Sequence, residues 1–205
     1  MDHHTDTSRP FRNHLRKAHA PEDHDRLRAA WLSEIDFRRP ATVLEAIAKL
    51  NNDEHIVAAI HSDIISTAFV VAHNSKDTDL QTYLEHKIIC RAVSKNVQSY
   101  DVSREDCDKV AESVFLAEMV TSFSEALAKT AEPALLQEPY ILDIDLDYFN
   151  TFASVAPMDA TVLRQLANGA GLITIATEPK HVKACALDAN LTSEHLLTKL
   201  LALLA

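Results

Sequence analysis

The chain has 205 residues and carries 30 Asp and Glu against 20 Lys and Arg, a formal net charge of −10 at pH 7. That balance excludes a duplex nucleic-acid binder, which needs a basic surface, and no apolar run approaches the ~20 residues that span a bilayer. With only two glycines, Gly169 and Gly171, there is no room for a phosphate-cradling glycine loop.

The apolar share, 47 %, is that of an ordinary globular chain, and 205 residues suit a single domain, 1–205, with one core. Cys90, Cys107 and Cys185 are odd in number and lack C-x-x-C spacing, which points to a reducing, cytoplasmic setting. No apolar stretch follows the first residues, so no secretory signal is expected.

In chain order, residues 8–30 are rich in Arg and His and predict a solvated surface segment with some helix. Pro40 at a first-turn position predicts a helix whose apolar face holds Val43, Leu44, Ile47 and Leu50. Asp53 is the candidate cap of a second helix carrying Ile56, Val57 and Ile60. Two buried strands follow, Ala68–Ala72 and Ile88–Val93. Ser103, with Asp106 three residues on, opens a long helix to about Ala131. After a linker bracketed by Pro133 and Pro139 come a strand from Tyr140 to Asp145, a helix from Asp159 to Ala167, a strand from Leu172 to Ala176, and a final helix from Thr192 to Leu204. Alternating strands and helices predict an α/β fold, a three-layer sandwich with a mainly parallel sheet. Ligands in such folds bind beyond the carboxyl ends of the strands, where Asp143, Asp145 and Glu178 lie.

The segment Tyr140-Ile-Leu-Asp-Ile-Asp-Leu-Asp-Tyr-Phe149 places Asp143, Asp145 and Asp147 at alternate positions. In a strand all three point one way, and like charges so crowded call for a cation. Asp2-His-His-Thr-Asp6 is a second such word, with Asp2, His4 and Asp6 at alternate positions. Carboxylates with some imidazole suit manganese, magnesium or iron(II), with zinc also open. Together the two words supply ligands for two cations about 3.5–4 Å apart sharing an activated water. The plain alternatives are a frayed polar terminus for the first word and helix-capping aspartates for the second.

Asp-x-His-x-Asp plus Asp-x-Asp after a buried strand resembles the ureohydrolases, the arginase and agmatinase superfamily. The longer words Asp2-His-His-Thr-Asp6, Asn52-Asp-Glu-His-Ile56, Asp143-Ile-Asp-Leu-Asp-Tyr-Phe149 and Ile173-Thr-Ile-Ala-Thr-Glu-Pro179 are similar to the branch that contains the peptide arginases. Those enzymes turn arginine side chains of ribosomally made peptides into ornithine and urea. The resemblance implies an arginase-like fold and a manganese pair held by Asp2, His4, Asp6, Asp143 and Asp145, with Asp147 in support. It implies that His55 assists proton transfer to the departing amine, that Glu178 holds the guanidinium, and that an arginine-containing peptide is the partner. Plain alternatives are a half-exposed helix histidine for His55 and a surface glutamate before a turn proline for Glu178. His61, His73, His86, His181 and His195 are expected to have no part in the chemistry.

Ureohydrolases carry a further metal-binding histidine, and a strand leading into it, upstream of the Asp-x-His-x-Asp word. Here that word begins at residue 2, so either a preceding piece or a reduced site with weak metal binding is expected. The rival functions are hydrolysis of free arginine or agmatine, and a non-catalytic α/β protein that binds a basic peptide. A metallophosphatase is disfavoured because no Arg or Lys lies between Tyr140 and Phe149.

Overall fold

A computed structural model describes residues 1, 6–73, 82–83, 87–93, 102–128 and 138–205. The chain falls into two compact units, one of Thr5–Ala68 and one of Phe69–Ala205 with Met1–His4.

The Thr5–Ala68 unit is helical: α1 (Arg12–Ala18), α2 (His24–Glu34), α3 (Pro40–Ile47) and α4 (His55–His61), with short 3-10 turns before α2 and α4. Residues 8–30 are more than a solvated surface, because Phe11 and Leu15 are fully buried and gather Trp31, Leu32 and Ile35 around them. In α3 the turn of about 100° per residue brings Ala46, with Leu50 beyond the helix end, to this cluster. Leu44 and Ile47, expected in the core, are 65 % and 58 % exposed. The cap before α4 is Asn51 rather than Asp53: the Asn51 side chain accepts the Glu54 N–H, and Glu54 Oε2 accepts the Asn51 N–H at 3.2 Å. Glu54 is fully buried yet satisfied, since its Oε1 accepts the Asn13 N–H at 3.3 Å. Asp53 instead pairs with Arg12 at 2.8 Å.

The second unit holds strands β1 (Ala68–Ala72), β2 (Thr82–Tyr83), β3 (Ile88–Ala92), β4 (Ile141–Asp145) and β5 (Leu172–Ala176), with α5 (Arg104–Asp108), α6 (Ser113–Ala128), α7 (Thr161–Gly169), α8 (Pro179–Cys185) and α9 (Ser193–Leu204). It is a mixed α/β arrangement. Among the described residues the strands form two small sheets, β1-β3-β2 and β4-β5. β4 and β5 run parallel in the register Ile141↔Leu172 to Asp145↔Ala176, whereas β2 and β3 are antiparallel. Met1 lies along β4: its ammonium donates to the Asp143 carbonyl and its carbonyl accepts the Asp145 N–H, both at 2.8 Å. One core runs through the unit, with Val71 and Ile89 from the first sheet, Leu142 and Ile144 from the second, and Phe115, Phe123, Leu163 and Leu196 from the helices.

The long helix expected from Ser103 is two helices. Ser103 does cap α5, accepting the Asp106 N–H at 3.1 Å. The break at 109–112 follows from tertiary ties. The Glu112 carboxylate accepts the N–H groups of Met158 and Asp159 at 2.8 and 3.2 Å, and Ser113 donates N–H and O–H to the Asp159 carbonyl. Residues 129–137, where that helix and the linker were expected to meet, lie outside the described residues. Asp159 caps the start of α7 by accepting the Thr161 N–H at 2.8 Å, and hydrogen bonds from the Thr161 side chain and then this N–H hold its carboxyl below the usual range. At the other end of α7, Tyr140 donates to the Leu166 carbonyl at 2.5 Å, and Gly169 leaves room for that hydroxyl: a Cβ there would sit 2.7 Å from it and force it to shift.

Candidate metal centre

β4 alternates as the sequence predicts. Leu142 and Ile144 enter the core, while Ile141, Asp143 and Asp145 stand on the opposite face. The hydroxyl of Thr174, the register partner of Asp143 on β5, donates to the Asp143 carboxylate. Asp143 and Asp145 therefore share a face, but Asp147 does not join them. The chain leaves the sheet at Asp145, whose Oδ1 accepts the Asp147 N–H at 3.2 Å and opens a 3-10 turn over Leu146–Tyr148. The turn ends the period-2 alternation and carries Asp147 inward, to 1 % exposure.

The neighbouring strand delivers the next carboxylate. β5 ends at Ala176, and Glu178 follows with φ 21° and ψ 65°, a conformation that a side chain with a Cβ adopts only under strain. Pro179 then starts α8, with the fixed φ of a first-turn proline. His181 sits in that first turn, and its Nδ1 lies 2.9 Å from Glu178 Oε2. Asp147, Glu178 and His181 each offer a ligand atom within 4.8 Å of the other two, and they grade from buried through half-buried to exposed. Ligands at ~2.0–2.4 Å from one ion stand at most ~4.8 Å apart, so the group could hold a single metal ion. Two carboxylates and an imidazole form a hard-to-borderline donor set that fits manganese and its neighbours.

Asp143 and Asp145 lie on the sheet face and are not part of this three-donor group. Asp2 and His4 lie outside the described residues. Asp6 and His55 belong to the Thr5–Ala68 unit. There His55 Nδ1 is 2.6 Å from the Asn52 carbonyl and 4.0 Å from Asp6 Oδ2. A carbonyl only accepts, so that bond puts a hydrogen on Nδ1. His181 is the residue the sequence reading passed over. Its signal was the spacing Glu178-x-x-His181, which places two donors one helical turn apart, as in metal-binding helix pairs.

Behind Asp147 the turn is fixed by packing. Tyr148 and Phe149 are buried edge to face, with centroids 5.3 Å apart. His73, also buried, meets the Tyr148 carbonyl through Nε2 at 2.5 Å. The Asn150 amide donates to the Asp147 carbonyl at 2.6 Å and its Oδ1 accepts from Cys107 Sγ at 3.5 Å. Asp188 accepts the Phe152 N–H at 2.6 Å and pairs with Arg104 at 2.8 Å; the two together hold its carboxyl below the usual range.

Compared with family models, curated proteins and solved structures, the chain matches none. No helix among the described residues is long and apolar enough to cross a membrane.

Proposed function

We propose that this chain is a manganese-dependent amidinohydrolase that converts arginine side chains of a precursor peptide into ornithine and urea. The observation that supports it best is the convergence of Asp147 and Glu178, from the carboxyl ends of two adjacent parallel strands, on the imidazole of His181. Substrates of α/β proteins bind at such strand ends. The reading carries with it a three-layer arginase-like sandwich and a cytoplasmic setting.

In this reading Asp147, Glu178 and His181 hold one metal ion, and Asp143 and Asp145 line the next stretch of the site. Manganese there supplies Lewis acidity and an acidified water. The chain's own residues provide the rest. Asp143 and Asp145 present negative charge on one sheet face to a planar cation that carboxylates bind in bidentate fashion. His181 is the most exposed of the three donors, so the metal position opens toward solvent.

The test is urea release from an arginine-containing peptide with added manganese, compared with free arginine. Peptide-selective release that is lost in Asp145→Ala is the expected result. Peptide binding without urea from any substrate would make the chain a binding protein instead. Glu178→Gln separates two tasks for that residue. Lost manganese binding assigns it to the metal; a raised KM with manganese retained assigns it to the guanidinium.

A further inference from the structure

The Thr5–Ala68 unit contains a cavity of about 190 Å³ between α2 and α3. Trp31 forms its aromatic wall, with Phe11 set against it edge to face at 5.3 Å. Glu34, at the end of α2, and Glu45, on α3, add two carboxylates. The space is well below the ~300–1,000 Å³ of pockets that enclose whole small molecules, so one side chain is what it can take.

Its chemistry is shown by the group already there. The Lys49 ammonium lies 4.8 Å from the Trp31 ring centroid and 2.9 Å from Glu45 Oε1. A cation over an indole with a carboxylate alongside is the arrangement that retains a basic side chain. Arg39 also lines the cavity, but Asp36 already pairs with it at 3.0 Å. The Glu34 carboxylate takes part in no ion pair or side-chain hydrogen bond among the described residues. Lys49 is thus the cation seated on the indole, and the Glu34 carboxylate is available to a second one.

We infer that this pocket is a metal-independent binding site for the guanidinium of an arginine residue in a peptide, with Lys49 as the internal group it displaces. Guanidinium is planar and more weakly hydrated than an ammonium, so it lies flat on the indole at a smaller desolvation penalty than a lysine. Lys49 sits on a flexible four-carbon stem, which lets the ammonium swing to solvent when the guanidinium enters. Each contact is small, so binding is weak and suits a site that holds a basic peptide without trapping it. The site uses none of the residues of the candidate metal centre, so it stands or falls separately from the hydrolase reading.

Trp31 is the chain's only tryptophan, which makes its emission a direct readout. The experiment titrates N-acetyl-arginine methylamide, and its neutral citrulline counterpart, into the full chain in buffer with EDTA. A saturable change in emission with the arginine compound alone is expected. Glu34→Gln should weaken it about fivefold, and Lys49→Met should strengthen it by a similar factor by removing the internal competitor. A purely structural Lys49 would give no tighter binding in Lys49→Met. The proposal is overturned by that result, by equal responses to citrulline and arginine, or by an unchanged affinity in Glu34→Gln with an unaltered circular dichroism spectrum.

Discussion

In the Phe69–Ala205 unit, three residues of one short segment, Leu146, Tyr148 and Phe149, are buried together with Ile144, in one core with residues of α6, α7 and α9. The Thr5–Ala68 unit gathers a much smaller cluster around Phe11, Leu15 and Ala46, leaves Phe37, Leu44 and Ile47 exposed, and carries ion pairs such as Arg26–Asp23 and Lys49–Glu45 on its surface. Exposed pairs of that kind are screened by solvent and contribute little, whereas a buried aromatic side chain contributes far more. The contrast shows that the charged residues dominating the first 40 positions decorate the smaller unit, while a few apolar ones hold it.

Phe11→Ala tests that most severely. It removes a fully buried ring that meets Trp31, so a loss of about 3–5 kcal/mol is expected, read as a lower urea midpoint in Trp31 emission. A shift no larger than that of Arg26→Ala, which removes only a solvent-screened pair, would reverse the comparison.

The larger unit should respond in the opposite sense at one position. The Tyr148 hydroxyl is buried with no hydrogen-bond partner among the described residues, and burial, aided by Cys107, drives its pKa far up, so the phenol stays neutral. Tyr148→Phe keeps the ring and removes the unsatisfied group, and a gain of about 1 kcal/mol in unfolding free energy is expected from chemical denaturation.

The smallest effect concerns acid. The Phe152 N–H and Arg104 depress the Asp188 carboxyl, so its stabilisation is present above its unfolded value, near ~3.9, and fades as pH falls through the lower folded value. Asp188→Asn should lose under ~1 kcal/mol at neutral pH, once solvent screening is allowed for, and lose less than the parent on going to about pH 3. Urea midpoints at the two pH values measure it. An equal drop in parent and variant would remove Asp188 from the account.

Local signals made much of the fold legible. β5 runs over Leu172–Ala176 as its apolar run predicts, and Thr192 caps α9 by accepting the His195 N–H at 3.2 Å. The break between α5 and α6 was not legible, because it depends on a carboxylate at 112 reaching main chain 46 residues later. The site divides the same way. Alternation correctly put Asp143 and Asp145 on one face, but it could not foresee a 3-10 turn that sends Asp147 inward. The spacing Glu178-x-x-His181 was present in the sequence and passed unused among several other histidines.

The arrangement of α8 also determines where this protein meets thiol reagents. Cys90 is buried out of reach of a reagent, and Cys107 is buried with its thiol pushed up to about 12 by desolvation, so it offers no thiolate at neutral pH. Cys185 is half-buried and lies four residues after His181 on the same short helix. An alkylating probe should therefore attach first at Cys185, one helical turn from the imidazole. A fluorophore placed there would report on the candidate metal centre from the one cysteine that ordinary labelling chemistry reaches.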